Sequence, residues 1–192
     1  MRPWRDVDDD AFDDNIEDFE PNQEDYDESD HFETTYSLKA KEQYEVNEYQ
    51  YETDRHGRIS HCEGRLRLEQ GKTNPVHQKM AGGEDRLNVD DGGHLIARRF
   101  GGSEKVDNIV PMNYHLNRGE YKAMESEWAR LVEEGKTVDV EIDCKYGWSD
   151  TERPKVIRVR YIVSDENGEI ERKSKSFANS KEGDKDGLNH KE

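Results

Sequence analysis

Between Asn88 and Glu134 the chain reads NVDDGGHLIARRFGGSEKVDNIVPMNYHLNRGEYKAMESEWARLVEE, and this stretch limits what the rest can be. Its second half carries a helix start. Asn117 is a good N-cap residue, Glu120 completes a capping-box pattern, and Leu116 and Tyr121 are spaced as a hydrophobic staple, which predicts a helix from about Arg118. Tyr121, Met124, Trp128, Leu131 and Val132 recur at helical spacing and predict one buried face, ended by Gly135 at C′. Glu125 lies beside that stripe. In the first half, two glycines let the backbone turn tightly at Asp91-Gly92-Gly93-His94 and leave the imidazole uncrowded, while Leu95 and Ile96 are suited to a core. Asn108-Ile109-Val110-Pro111-Met112 is short and β-branched and reads as the return strand of a hairpin whose long loop is Arg98 to Asp107. The expected order is strand, strand, helix, with His94 and Asn117 facing each other across a space sized for a hydrated cation and a phosphate.

Singly, each of these residues has a plain reading. A His after two glycines is ordinarily a loop residue, an Asn before a helix a cap, and a Glu on a helix a solvated carboxylate. Their joint spacing is what carries information. It resembles the ββα-metal, or His-Me finger, core of the DNA/RNA non-specific endonuclease family, and more closely the nuclease domains at the C-terminal ends of bacterial polymorphic toxins. That family's signature is Asp-Arg-Gly-His, then Asn-Ile-x-Pro-x-x-x-x-Leu-Asn, then a Glu eight residues after the last Asn. The matching positions are Asp91, Gly93 and His94, then Asn108, Ile109, Pro111, Leu116 and Asn117, then Glu125. Gly92 stands where the family has Arg, and Arg98, Arg99 and Arg118 are candidates to supply the missing cation and grip the substrate.

The resemblance implies roles. Phosphodiester hydrolysis requires a base for water and positive charge opposite the developing phosphorane, and His94 titrates in the right range for the first task. Asn117 would be the direct ligand of one Mg²⁺ or Mn²⁺, with Glu125 as the outer carboxylate that serves both metal and catalysis. Asp91 and Gly93 shape the turn or orient a neighbour, and Asn108 positions the His94 loop. The same resemblance implies DNA or RNA as substrate, 5′-phosphate and 3′-hydroxyl products, and a cognate immunity or inhibitor protein. It also implies a bacterial toxin effector, made in the cytoplasm and delivered to target cells.

The formal net charge of −17 looks wrong for a nucleic-acid enzyme until it is apportioned. Residues 1–36 hold 15 acidic and 2 basic side chains, which is −13 of the −17 and leaves −4 for the rest. That stretch reads as an acidic, disordered tail, and a sharper expectation has it folding over the groove as a phosphate mimic. The N-terminus has no basic, then apolar, signal pattern, and no apolar run is long enough for a membrane helix. Cys62 and Cys144 have no metal-type spacing and pair only if the fold brings them together.

Elsewhere the pattern is of strands. Tyr49, Tyr51 and Thr53 alternate with polar residues, Asp54 to Gly57 is a turn, and Arg58 to Leu68 returns with an irregularity at Gly64. This Tyr-x-Tyr-x-Thr-Asp-x-x-Gly-Arg run resembles the lead-in of the toxin nucleases. Gly71 to Gly83 reads as a loop, His56, His61 and His77 as surface or strand-face residues, and Arg65, Arg67 and Arg86 as unranked phosphate contacts. Val138 to Tyr146 and Ile157 to Val163 alternate as half-buried strands, the acidic face of one matching the basic face of the next, and Asn167-Gly168 turns into a last strand around Ile170.

The expected molecule is an α+β fold, a ββα-metal finger packed on an antiparallel sheet. Its domain spans residues 37–178, between the acidic tail and a polar tail at 179–192. Two other readings compete: an acidic binding protein with a decayed core that sequesters a basic partner, and a hydrolase using His94 without metal.

Overall fold

A computed structural model describes residues 30–71, 73–147, 151–168 and 170–180. Most of the described strands belong to one antiparallel sheet of six, ordered β10-β9-β8-β5-β4-β3. These are β3 (Gln43–Val46), β4 (Tyr49–Thr53), β5 (Ile59–Arg65), β8 (Thr137–Lys145), β9 (Val156–Ser164) and β10 (Ile170–Ala178). Period-two alternation sets the faces: β8 alternates half-buried and buried along most of its length, with Val138, Val140, Ile142 and Cys144 inward. The outward face pairs charges across strands. Arg160 reaches Glu141 at 2.7 Å and Asp143 at 3.2 Å, and Arg65 holds Asp139 at 2.8 Å.

Local chemistry explains the turns. Asn47 and Glu48 both adopt positive φ (53° and 69°), the left-handed pair that a tight β3–β4 hairpin requires. The irregularity expected at Gly64 is instead a register shift between Glu52 and Thr53. Gly64 continues β5 because the Tyr49 ring lies 2.5 Å from where its Cβ would be, so only glycine lets that ring lie flat on the strand.

The finger is a second, two-stranded antiparallel ribbon of β6 (Asp90–His94) and β7 (Ile109–Asn113), with Asp91 opposite Met112 and His94 opposite Ile109. A helical run follows: α2 (Tyr114–Leu116), a π turn (Asn117–Tyr121) and α3 (Lys122–Glu133). Tyr121, Met124, Trp128 and Leu131 are buried, as the spacing predicts. They land on the inner face of the sheet, where Trp128 packs edge-on to Tyr161 at 5.6 Å and Tyr121 meets Phe177 at 5.4 Å.

Several sequence expectations need correction. The Gly71–Gly83 segment contains α1 (Pro75–Met80), capped by Asn74, whose side chain accepts from the Val76 and His77 amides. His77 is buried in that helix, and its Nδ1 accepts from the Val106 amide at 3.2 Å. The folded body also begins earlier than residue 37. β1 (Phe32–Thr34) pairs with β2 (Ser37–Leu38), Phe32 is buried, and His31 stacks on Tyr44 at 4.1 Å. At the other end Asn179 is buried, past the expected limit of 178. The tail expectations for residues 1–29 and 181–192 lie outside the described residues. Cys62 and Cys144 are free and buried, and burial pushes both thiols up, Cys144 to about 12. No helix among the described residues is long and apolar enough to cross a membrane.

Candidate active site

The site is built where α2 leaves β7. Asn113, the last residue of β7, caps the helix by accepting from the His115 amide at 2.9 Å. The helix therefore starts at Tyr114, and Asn117 lies inside it, at the first position of the π turn. This corrects the expected N-cap role of Asn117. Relieved of capping, its amide is turned sideways onto β6: Nδ2 donates to Asp91 Oδ2 at 3.1 Å, and Oδ1 lies 3.0 Å from where a Cβ on Gly93 would be. A side chain at position 93 would crowd that oxygen and, more closely, Met112 at 2.9 Å.

Asp91 holds a second group. Arg118 donates from Nε to Oδ2 at 2.8 Å and from Nη2 to Oδ1 at 2.7 Å, a bidentate pair that fixes the guanidinium plane. The Arg118 side chain is 48% exposed, against 15% for Arg98. Arg98 bonds the Gly102 carbonyl, and Arg99 reaches Ser126 at 3.4 Å and stacks on Phe100. Arg118 shares Asp91 with Asn117. Arg65 and Arg67 are in ion pairs with Asp139, Glu48 and Glu69, and Arg86 donates to the Gln78, Lys79 and Asp90 carbonyls.

His94 ends β6, half-buried, with Nε2 inside the protein. The backbone around it is held from two sides. Tyr121 donates its hydroxyl to the Leu95 carbonyl at 2.9 Å, and the Leu95 amide donates to Asn108 O at 2.9 Å. Burial pushes the Tyr121 phenol well up, and the Glu125 charge adds to the shift, so Glu125 stands within electrostatic reach of the same point. Asn108 is fully buried, and its amide is saturated. It donates to Ile96 O and Ser103 O at 2.8 Å each and accepts from Ile96 N and Tyr51 Oη at 3.0 Å each. Such a residue closes the Arg98–Asp107 loop behind His94 and has no capacity left for substrate.

Gly92 follows from packing. A Cβ there would run into the Gln78 carbonyl of α1, so the helix backbone occupies the space a side chain would need. The structure thus joins Asp91, Asn117 and Arg118 by hydrogen bonds, with Gly93 against the Asn117 amide, while Tyr121 bonds the Leu95 backbone next to His94. Sequence reasoning missed Asp90, Arg153 and Asn179, which are buried and bonded behind the ribbon. Asp90 neighbours the motif, but neither of the others has a spacing signal.

Among the described residues no group of three or more His, Cys, Asp or Glu side chains is placed to hold a metal ion. The donor set is therefore not that of an all-protein cage. One amide oxygen with a carboxylate nearby suits a hard cation that retains most of its waters.

Residues 40–165 match the sequence profile described as DNA/RNA non-specific endonuclease. The chain is 39% identical over 137 residues to the type VII secretion system protein EssD of Staphylococcus aureus, a match covering 67% of this chain and 22% of that protein. It thus spans about a fifth of the length of the curated relatives it matches. Among solved structures, the EndoG/EndoGI complex superposes with a TM-score of 0.55 at 12% identity, over 72% of this chain and 74% of that one. NucA from Streptococcus agalactiae with no metal bound does so with 0.50 at 16%, over 79% and 77%. Both likenesses are of fold.

Proposed function

Because this chain belongs to the DNA/RNA non-specific endonuclease family, we propose that it is a hydrolase that cuts nucleic acid, DNA or RNA, within the strand, with little sequence preference and with a divalent cation. The observation that carries this reading is the bond from Asn117 Nδ2 to Asp91. It fixes the orientation of the amide, with Oδ1, an uncharged hard oxygen, turned toward Gly93. Asn117 would hold one Mg²⁺ or Mn²⁺, with Glu125 as the supporting carboxylate. The cation, when bound, supplies Lewis-acid stabilisation of charge on the phosphoryl oxygens. Arg118 adds a fixed positive group at the phosphate, and His94 takes the proton of the attacking water. Contacts of this kind grip the backbone and not base edges, which makes cleavage indifferent to sequence.

The EssD relative is by name a type VII secretion system protein. This likeness supports export as the biological setting, and the resemblance to polymorphic-toxin nucleases adds a toxin role with an inhibitor protein that protects the producer. The decayed-core alternative rested on Gly92 and on the acidic tail, and the close approach of the α1 backbone gives Gly92 a packing reason apart from decay.

The test is nicking of supercoiled plasmid by the purified chain with Mg²⁺, with chelator and with His94→Ala. Cleavage that needs both the cation and His94 supports the reading. An inert wild-type chain that instead binds a basic protein stoichiometrically overturns it.

A further inference from the structure

The β6–β7 ribbon is not part of the six-stranded sheet, and among the described residues the two share no strand pairing. Something else must set where the finger stands. A buried polar cluster behind the ribbon joins four separate segments. Arg153, in the approach to β9, donates to Asp90 of β6 from Nε at 2.7 Å and from Nη2 at 2.8 Å, with side-chain exposures of 5% and 0%. The same guanidinium donates to the Asn179 carbonyl at 2.6 Å and the Ser180 carbonyl at 2.8 Å, just past β10. Asn179, also buried, donates from Nδ2 to Pro111 O of β7 at 2.9 Å and to Pro154 O at 2.8 Å, and its Oδ1 accepts from Asn113 N at 2.8 Å.

Two arms run from this cluster to the same place. Along one, Arg153 fixes Asp90, whose neighbour Asp91 holds both Asn117 and Arg118. Along the other, Asn179 fixes the backbone of Asn113, whose side chain caps the helix that carries Asn117. We propose that Asp90, Arg153 and Asn179 are positioning residues: they dock the finger on the sheet and thereby set the placement of Asn117 and Arg118. The cluster suits this task because a buried, fully bonded ion pair adds directional constraint, whereas an apolar contact of equal area would let the ribbon slide. Naming Asn117 as the cation ligand rests on the nuclease reading above; the docking role does not.

The test uses the full chain with Asn179→Ala and Asn179→Asp, and Val159→Ala in β9 as a control that weakens the sheet away from the cluster. Mn²⁺ binding is read by electron paramagnetic resonance, amide hydrogen exchange over residues 109–121 and over β8 by mass spectrometry, and Tm by circular dichroism. In Asn179→Ala, Mn²⁺ binding weakens about tenfold, the range seen when an outer partner of a ligand is lost. Exchange quickens over 109–121 and not over β8. Asn179→Asp keeps the acceptor for Asn113 but turns a carboxylate oxygen onto the Pro111 and Pro154 carbonyls in place of the two donors, so it shows a change in the same direction. Val159→Ala lowers Tm and leaves Mn²⁺ binding and finger exchange at wild-type levels. Wild-type Mn²⁺ affinity and finger exchange in Asn179→Ala overturn the proposal, and so does global unfolding of both Asn179 variants, which would make the cluster a support of the whole fold. If the wild-type chain binds no Mn²⁺, the metal reading fails, and the exchange data alone decide the docking role.

Discussion

At the scale of single residues, the arrangement turns on which group Asn117 serves. A capping Asn spends its side-chain oxygen on a helix amide. Here Asn113 does that work, and Asn117, four residues on, is oriented by Asp91. Asp91→Ala should therefore raise the Mg²⁺ concentration for half-maximal cleavage about tenfold, and Asp91→Asn, which keeps an acceptor, should recover part of that loss. A metal titration of plasmid cleavage distinguishes this from a plain fall in kcat. Gly92 invites the opposite experiment. Gly92→Arg restores the residue usual at this position in the family, yet its Cβ meets the α1 backbone. The variant should lose about 1–3 kcal/mol of stability in urea, the typical cost of overpacking, and gain no activity.

At the scale of elements, the helix and the last strand are tied by charge as well as by packing. Glu127 of α3 accepts from Lys173 of β10 at 2.7 Å, with Lys175 at 3.8 Å. The Lys173 hydrogen bond holds the Glu127 carboxyl below its ordinary value of 4.5. A depressed folded pKa contributes stability that is fully present above the unfolded value and is lost as pH falls through the folded one. Glu127→Gln should thus lower stability by about 0.2–1 kcal/mol at neutral pH, the range of exposed pairs, and its Tm should approach that of the wild type as pH falls below 4.5 through the lowered folded value. A constant gap down to pH 3 would show that packing, and not the ion pair, joins these elements. The same scale shows where periodicity could mislead. Pro75–Met80 was hidden as a helix because its six residues give too little repeat to count, while its cap Asn74 was readable.

At the scale of the molecule, the boundaries matter most. His31 bonds Asp107 at 3.1 Å and stacks on Tyr44, and Phe32 is buried, so the fold reaches back into the acidic stretch. A chain lacking residues 1–36 should be less stable than one lacking 1–29 by about 1.5–3 kcal/mol, the value of burying one large apolar side chain, as read by urea unfolding. Equal midpoints would remove β1 and β2 from the cooperative unit. Composition misled here because charge density marks residues 1–36 as one segment, whereas His31 inside it bonds Asp107 and Phe32 joins the buried core.

The local motifs alone determined the ribbon of Asp91 to His94 and Ile109 to Asn113, the buried stripe of α3 and the alternation of β8 and β9, because periods of two and 3.6 residues and turn chemistry are written in adjacent positions. The match to the family's spacing, and not periodicity, gathered the candidate residues Asp91, His94, Asn117 and Glu125. Only the tertiary structure decided that Asn113 caps the helix in place of Asn117, that Arg118 is the guanidinium sharing Asp91, and that Arg153 and Asn179 stand behind the site. Those choices depend on bonds between residues tens of positions apart, and the donors and acceptors that make them carry no periodic signal along the chain.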